Sequence, residues 1–488
     1  VKRVKKFYVL DGLTEKVTHD LTVFATEGVD IAGTLEVPQG TRVAFYTPSY
    51  DQSGTIAYAG QSVPAKTPVT DIISACTLIV HGGAGLTVPP GDSLALAASK
   101  GASHKCTTEL SGNVTMSTGL SGGAATGQQN GQNGGSIEIG SEDAVHEADS
   151  VAEGAKEDWH AFPPFQVTIA ARLAAGYGGR GNDDPSGTFA NGTQTFSAGN
   201  GGNGGDFELQ AGNVMQFGPG NQHVLIRAGN GGDGGTAGAA WNITAANGTA
   251  IEPNAIDIDV QEGGGGRGGD IDVDADKNAN KGFQDAGGGG FPGGVLSTAG
   301  HGWSWSVNSD AALAVGKGGS FTLTLGFPGF AGTGSNHPTT PPPDGQYPAI
   351  TFYDGAGGAG DGYYQPGTAG LSGGVGGSLT LLPPPGITGT DFATRGKLKV
   401  TVSGFGNGGA GGNGSCSSPT QAGGSGGNAG NLHDNGLMAF ITIVTTPGYT
   451  SFGGGNGAKG NPPGTGGTAG KNDEGTTVGA AGTAGSSC

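Results

Sequence analysis

"FSAGNGGNGGDFELQAG", residues 196–212, decides the fold. It contains G-x-G-x-x-G at Gly199, Gly201 and Gly204, the spacing of a dinucleotide-binding turn. Such a turn follows a strand and opens a helix, with an acid about 20 residues further on. Here Gly205 runs into "DFELQA" (206–211), which alternates as a strand does, so no helix N-terminus waits for a phosphate. The spacing recurs at Gly229, Gly231 and Gly234 in "RAGNGGDGG". A nucleotide site needs one such loop, whereas a chain that keeps making them uses them structurally. A Walker loop is absent too, because "GTGGTAGKN" (464–472) lacks the spacing and the Ser/Thr.

The same motif organises the rest of the chain. Glycine numbers 106 of 488 residues, and only six fall in residues 1–80. From about residue 135, short strands alternate with glycine stretches, as in "GGSIEIG" (134–140), "HVLIRAGNGGDGG" (223–235), "GGRGGDIDVDA" (265–275) and "LKVTVSGFGNGGAGGNG" (398–414). Self-similarity at 20–50 residues is the mark of stacked repeats. Residues 21–47 and 77–98 carry the same strand rhythm without the glycine, broken at Gly28, Gly33 and Gly40. Helical periodicity is weak everywhere; residues 141–159 hold a helical turn or two at most.

These patterns predict an all-β parallel β-helix, or β-solenoid. Inward side chains such as Phe207, Leu209, Leu225, Ile271 and Val273 stack into one core. In "GGNGGD" and "GGSGGN" glycine fills two of every three positions. Three residues is the period of the extended left-handed helix of proline- and glycine-rich chains. Such polyglycine II-like helices pack side by side, with the third residue facing outward. Free loops of this length would carry a heavy entropic cost. The expected organisation is a basic arm at 1–20, β-rich coils at 21–130, a glycine-rich solenoid at 131–445 and a glycine-rich tail at 446–488.

Charge and cysteine place the chain. Charged residues make up 13%, with a net charge of −18, which argues against nucleic acid. No apolar run approaches the ~20 residues of a membrane span; the longest candidate is Leu437–Val444. A chain that starts at Val1 fits removal of a secretory leader. Four cysteines without metal spacing, and glycosylation sequons at Asn113, Asn191, Asn242, Asn247 and Asn413, favour an oxidising, extracellular setting. Proximity pairs Cys76 with Cys106 and Cys416 with Cys488, the latter pinning the tail as a disulfide.

The strand–AGNGGNGG–strand pattern resembles glycine-rich β-solenoid surface proteins of microbes: large haemagglutinin-like adhesins and adhesins with packed polyglycine helices. The resemblance spans roughly residues 130–480, and by rhythm 20–100. It is architectural, and carries over no functional residue. It implies an extracellular adhesive or structural role.

Few residue sets could carry chemistry. G-x-S-x-G occurs around Ser121, Ser372 and Ser425, as glycine-rich composition alone produces, and none has the strand-to-helix context of a hydrolase elbow. Nine histidines are scattered singly. Asp270, Asp272, Asp274 and Asp276 lie on one side of a strand, preceded by Asp257 and Asp259. Carboxylates about 7 Å apart repel, which Ca²⁺ would relieve; the alternative is a solvated acidic face. The same ladder, flanked by Arg267 and Lys277, is the sole candidate for polysaccharide cleavage. "HGWSWS" (301–306) and "DGYYQPG" (361–367) offer aromatic platforms for surface carbohydrate, or wedges between loops. The expectation is a non-enzymatic protein whose partner is itself, a homopolymer assembled head to tail. Assembly would use the strand-prone Lys2, Arg3, Lys5, Lys6, Phe7 and Tyr8 against a neighbour's open edge. A polysaccharide-binding or -cleaving β-helix is the alternative.

Overall fold

The computed structural model describes residues 1–59, 67–99, 105–123, 129–183, 192–212, 214–216, 224–234, 256–261, 265–275, 278–280, 283–286, 306–309, 321–324, 350–354, 370, 372–382, 398–403, 405–414, 416, 420–435, 441–445 and 451–488. The fold is all-β, with strands in sheets of sixteen, eleven and three strands, parallel except where Ala161–Phe162 joins Ser93–Ser99 antiparallel, and one helix among the described residues. In the large sheet Lys2–Val9, Leu21–Ile31, Val43–Gln52 and Thr70–Val80 lie side by side. Thr70–Val80 then splits the sheet into two lanes. Its first half pairs with Ser93–Ser99, its second half with Thr107–Leu110. The first lane continues through Ile137–Ile139, Phe207–Ala211, Ile271–Ala275, Phe321–Thr324, Leu379–Leu382 and Leu432–His433. The eleven-stranded sheet runs from Thr14–Lys16 to Ile441–Thr445. The pairing crosses residues 20 and 130 without a break, so Lys2–Val9 is the first strand of the body.

In-register parallel pairing makes each position repeat its chemistry from strand to strand. One inward row reads Leu94, Ile137, Phe207, Ile271, and another Leu96, Ile139, Leu209, Val273, all at 2% exposure or less. The eleven-stranded sheet answers with Leu35, Ile56, Leu86, Val114, Leu173 and Ile226. Side chains of both sheets form one contiguous cluster from Val9 to Phe452. Each buried aliphatic or aromatic chain contributes roughly 1.5–3 kcal/mol. The expected inward positions Phe207, Leu209, Ile271 and Val273 are in this core; the side chain of Leu225 lies outside the described residues.

Corners between the sheets are tight. The amides of Ser53 and Gly54 both donate to Ile31 O, stacking one corner on the one before it. A Cβ at Gly54 would meet the carbonyl of Gly33, so only glycine fits. Cys76, at the split of the large sheet, bridges Cys106, just before the strand Thr107–Leu110. Cys416 bridges Cys488.

The helix Glu142–Gly154 is longer than the turn or two its periodicity predicts. Its apolar stripe is Ala144, Ala148 and Ala152, residues too small to dominate a hydrophobic pattern. Ser141 caps it by accepting from Ala144 N at 3.2 Å, and Glu142 and Asp143 complement the dipole. The alanines lie flat on Ile72, Ala95 and Tyr46, and Tyr46 donates its hydroxyl to Ala148 O.

Candidate functional site

The glycine stretches form a bonded array. Segments 117–123, 175–182 and 228–234 make one file; 129–135, 198–206 and 265–270 make a second. Within a file the chains run parallel: Gly131 and Gly134 donate to Asn200 O and Asn203 O, and Gly204 donates to Arg267 O. Between files they run antiparallel: Gly179 N bonds Gln132 O, Gly202 N bonds Gly179 O and Gly232 N bonds Gly202 O. Every contact repeats at a spacing of three residues. A second array is built the same way from 370 and 372–378, 421–431 and 463–471 against 405–414, 451–460 and 478–486. The Cys416–Cys488 disulfide ties the first segment of its second file to the last.

Two glycines per triplet are needed because backbone stands where side chains would. A Cβ at Gly199, Gly201, Gly202, Gly204 or Gly205 would meet the backbone of a neighbouring segment well inside 3.0 Å. The third residue has a task that composition did not reveal. Asn130 and Asn133 accept the amides of Asn200 and Asn203 on their Oδ1 atoms at 2.9 Å. Asn203 does the same for Arg267 N, and Asp206 for Asp270 N at 2.7 Å. The pattern recurs from Asn428 to Thr468 N, Asn431 to Lys471 N and Asn456 to Thr483 N. In the triplet Asn203-Gly204-Gly205 all three amides are therefore bonded, each to a different neighbouring segment. Backbone donors that could have cradled a phosphate are already occupied.

A second feature is the open edge of the large sheet. Lys2–Val9 pairs with Leu21–Ile31 on one side only, among the described residues. Val1, Tyr8, Leu10 and Leu13 are 51–67% exposed, and they are four of the six large apolar residues exposed in the described chain. Phe7 turns inward onto Phe45. The cations lie along this edge: Arg3 pairs with Glu157, Lys6 with Asp30 at 3.2 Å, Lys5 with Glu27 at 4.0 Å, and Lys2 sits over the Phe7 ring.

The third feature is acidic and crosses strands. Register places Glu138, Glu208 and Asp272 side by side, with Ala95 before them and Thr322 after. Burial pushes the Glu138 carboxyl up to about 7, with Glu208, Asp143, Glu147 and Asp206 adding to the rise. Glu208 is raised by burial and then by Asp143, Asp206, Asp272 and Asp270, and Asp272 by burial and then by Asp274 and Asp270. Arg267 is engaged by Asp206 at 3.4 Å and Asp270 at 2.8 Å. The along-strand set Asp270, Asp272 and Asp274 does not converge: no group of three or more His, Cys, Asp or Glu side chains among the described residues is placed to hold a metal ion. Asp276 and Lys277 lie outside the described residues, and nothing is described of the side chains of Asp257 and Asp259. The cross-strand row was open to detection, since its members occupy the middle of Ile137-Glu138-Ile139, Phe207-Glu208-Leu209 and Ile271-Asp272-Val273.

The remaining candidates are dispersed. Asn113 is exposed and accepts from Arg172 N; Asn413 is exposed and accepts from Lys459 N. Asn191, Asn242 and Asn247 lie outside the described residues, as do Trp303, Trp305 and residues 361–367. Ser425 accepts from the Thr465 hydroxyl. His81 and His433 each meet a carboxylate, Asp51 at 3.1 Å and Asp473 at 3.0 Å, on exposed surfaces. No helix among the described residues is long and apolar enough to cross a membrane. Comparison with protein-family models, curated proteins and solved structures finds no match to this chain.

Proposed function

We propose that the chain is an extracellular structural or adhesive protein that assembles head to tail into a filament. In this reading the parallel sheets are walls of a β-solenoid. The glycine files are polyglycine II-like helices packed alongside, stiffening the rod. The observation that carries the proposal is the concentration of exposed apolar side chains, Val1, Tyr8, Leu10 and Leu13, on and just beside the strand Lys2–Val9, which among the described residues pairs on one side only. An edge strand with unpaired amides and carbonyls is a template for another chain, and single monomers usually blunt or cover it. A head-to-tail contact of this kind generates an open polymer when its rotation does not close. Two disulfides are compatible with an oxidising, extracellular setting.

Negative-stain microscopy across a concentration series tests assembly. Filaments are expected from the native chain, and their loss from the Leu10→Lys/Leu13→Lys double variant, whose changes are at exposed positions. Native protein that stays monomeric at every concentration would overturn the proposal.

A further inference from the structure

We propose that the cross-strand row Glu138–Glu208–Asp272 is a proton-operated seam, closed when its carboxyls share protons and strained when all three are ionised. Parallel strands lie about 4.8 Å apart, so the backbones hold neighbouring carboxylates close, with Glu138 and Glu208 half-buried and Asp272 exposed at the end of the row. The sheet fixes their backbones: Glu138 is flanked by the buried Ile137 and Ile139, Glu208 by Phe207 and Leu209, and Asp272 by Ile271 and Val273.

Surrounding elements add negative charge. The helix Glu142–Gly154 brings Asp143 and Glu147; Asp206, Asp270 and Asp274 flank the row on its own strands. The neighbouring strands add only Ala95 and Thr322. Two cations stand nearby, and both have carboxylates of their own: Arg267 with Asp206 and Asp270, Arg42 with Glu147 at 3.3 Å. Among the described residues no cation pairs with Glu138, Glu208 or Asp272 themselves. Two carboxyls at this separation ionise together only at a cost, and a proton held between neighbours converts repulsion into a hydrogen bond. Burial first, and then the row neighbours Glu208 and Asp272 among other carboxylates, raise Glu138 and Glu208, whereas Asp272 is raised by burial and by Asp274 and Asp270 of its own strand.

The sign is fixed by linkage. A carboxyl that holds its proton to higher pH folded than unfolded stabilises the fold in acid, and that stability is lost as pH rises through the folded value. For Glu138 the window is between about 4.5 and about 7. The helix, whose Asp143 and Glu147 face the row, is the element that ionisation pushes away.

Proton counting on unfolding in weakly buffered denaturant at pH 6 tests the seam. The native chain should release protons, and Glu138→Gln should release about one proton fewer, because Glu138 is mostly protonated when folded and ionised when unfolded. Equal release by the two proteins, or proton uptake by the native chain, would overturn the proposal. Because the variant could fail to fold, hydrogen exchange on the unaltered protein gives a second reading. Amides of 137–139 and 142–154, corrected for intrinsic chemistry, should be at least tenfold better protected at pH 5 than at pH 8. Equal protection would overturn it as well.

Discussion

The Gly202→Val substitution puts a Cβ well inside 3.0 Å of the Gln132 carbonyl oxygen, nearer than Cβ atoms come to other atoms. Neither side can yield alone. Gln132 O already accepts from Gly179 N at 2.7 Å, Gly202 N donates to Gly179 O at 2.8 Å, and Gly232 N donates to Gly202 O at 2.7 Å. Moving segment 198–206 outward opens the two bonds that Gly202 makes, at about 1 kcal/mol each, and leaves the Gly179–Gln132 bond holding the carbonyl in place. Overpacking adds roughly 1–3 kcal/mol. The expected loss is therefore about 3–5 kcal/mol, a large part of the ~5–15 kcal/mol that holds typical domains folded. Urea denaturation followed by circular dichroism measures it as a fall in midpoint. Gly154→Ala is the matched control, since a Cβ at Gly154 meets nothing within 4 Å. In the last turn of the helix it should be neutral or stabilise by up to about 1 kcal/mol. A Gly202→Val protein within about 0.5 kcal/mol of the native chain would refute close packing at this position.

Three further outcomes follow from named contacts. Asn203→Ala removes the acceptor of Arg267 N and should cost about 1 kcal/mol by denaturation, whereas Asn203→Asp should restore most of it, as Asp206 already serves Asp270 N. Asp71 is buried, accepts from Val43 N at 2.7 Å, and is pushed up to about 8 chiefly by burial, with Asp92 and Asp20 adding to the rise. Its folded value is raised, so native stability should fall between about pH 4 and pH 8; Asp71→Asn should flatten that fall, and an unchanged pH profile of the melting temperature would count against it. The Cys416→Ser/Cys488→Ser pair releases a link spanning 72 residues, and should lower stability by about 2–4 kcal/mol, with proteolysis beginning in the C-terminal array.

Much of the body was legible in the sequence because parallel, in-register stacking repeats its chemistry. Once "SIEI", "DFELQ" and "DIDVD" are aligned, the inward Ile137, Phe207 and Ile271 follow, and so does the all-β class. The triplet register of glycine likewise announced close backbone contact. What escaped notice was set by partners distant in sequence. The bonding of Asn133 to Asn203 N joins residues 70 apart, and nothing local distinguishes an outward solvated asparagine from one that serves the next segment. The helix was underestimated because alanine at 144, 148 and 152 gives no strong apolar signal; its stability depends on Tyr46 and Ile72 beneath it. The acidic residues were grouped along one strand, Asp270 to Asp276, whereas register groups Glu138, Glu208 and Asp272 across three.

Hydrogen exchange of the glycine segments tests the central claim most directly, because free loops and a bonded array differ there by orders of magnitude. Peptides covering 198–206 and 421–431 carry amides bonded to neighbouring segments, among them Gly202, Gly204, Gly205, Gly424, Gly427 and Gly430. Their protection should approach that of the core strand Phe207–Ala211, and Gly202→Val should abolish it in 198–206. Exchange of these glycines at the rate of an unstructured peptide in the native chain would contradict the account.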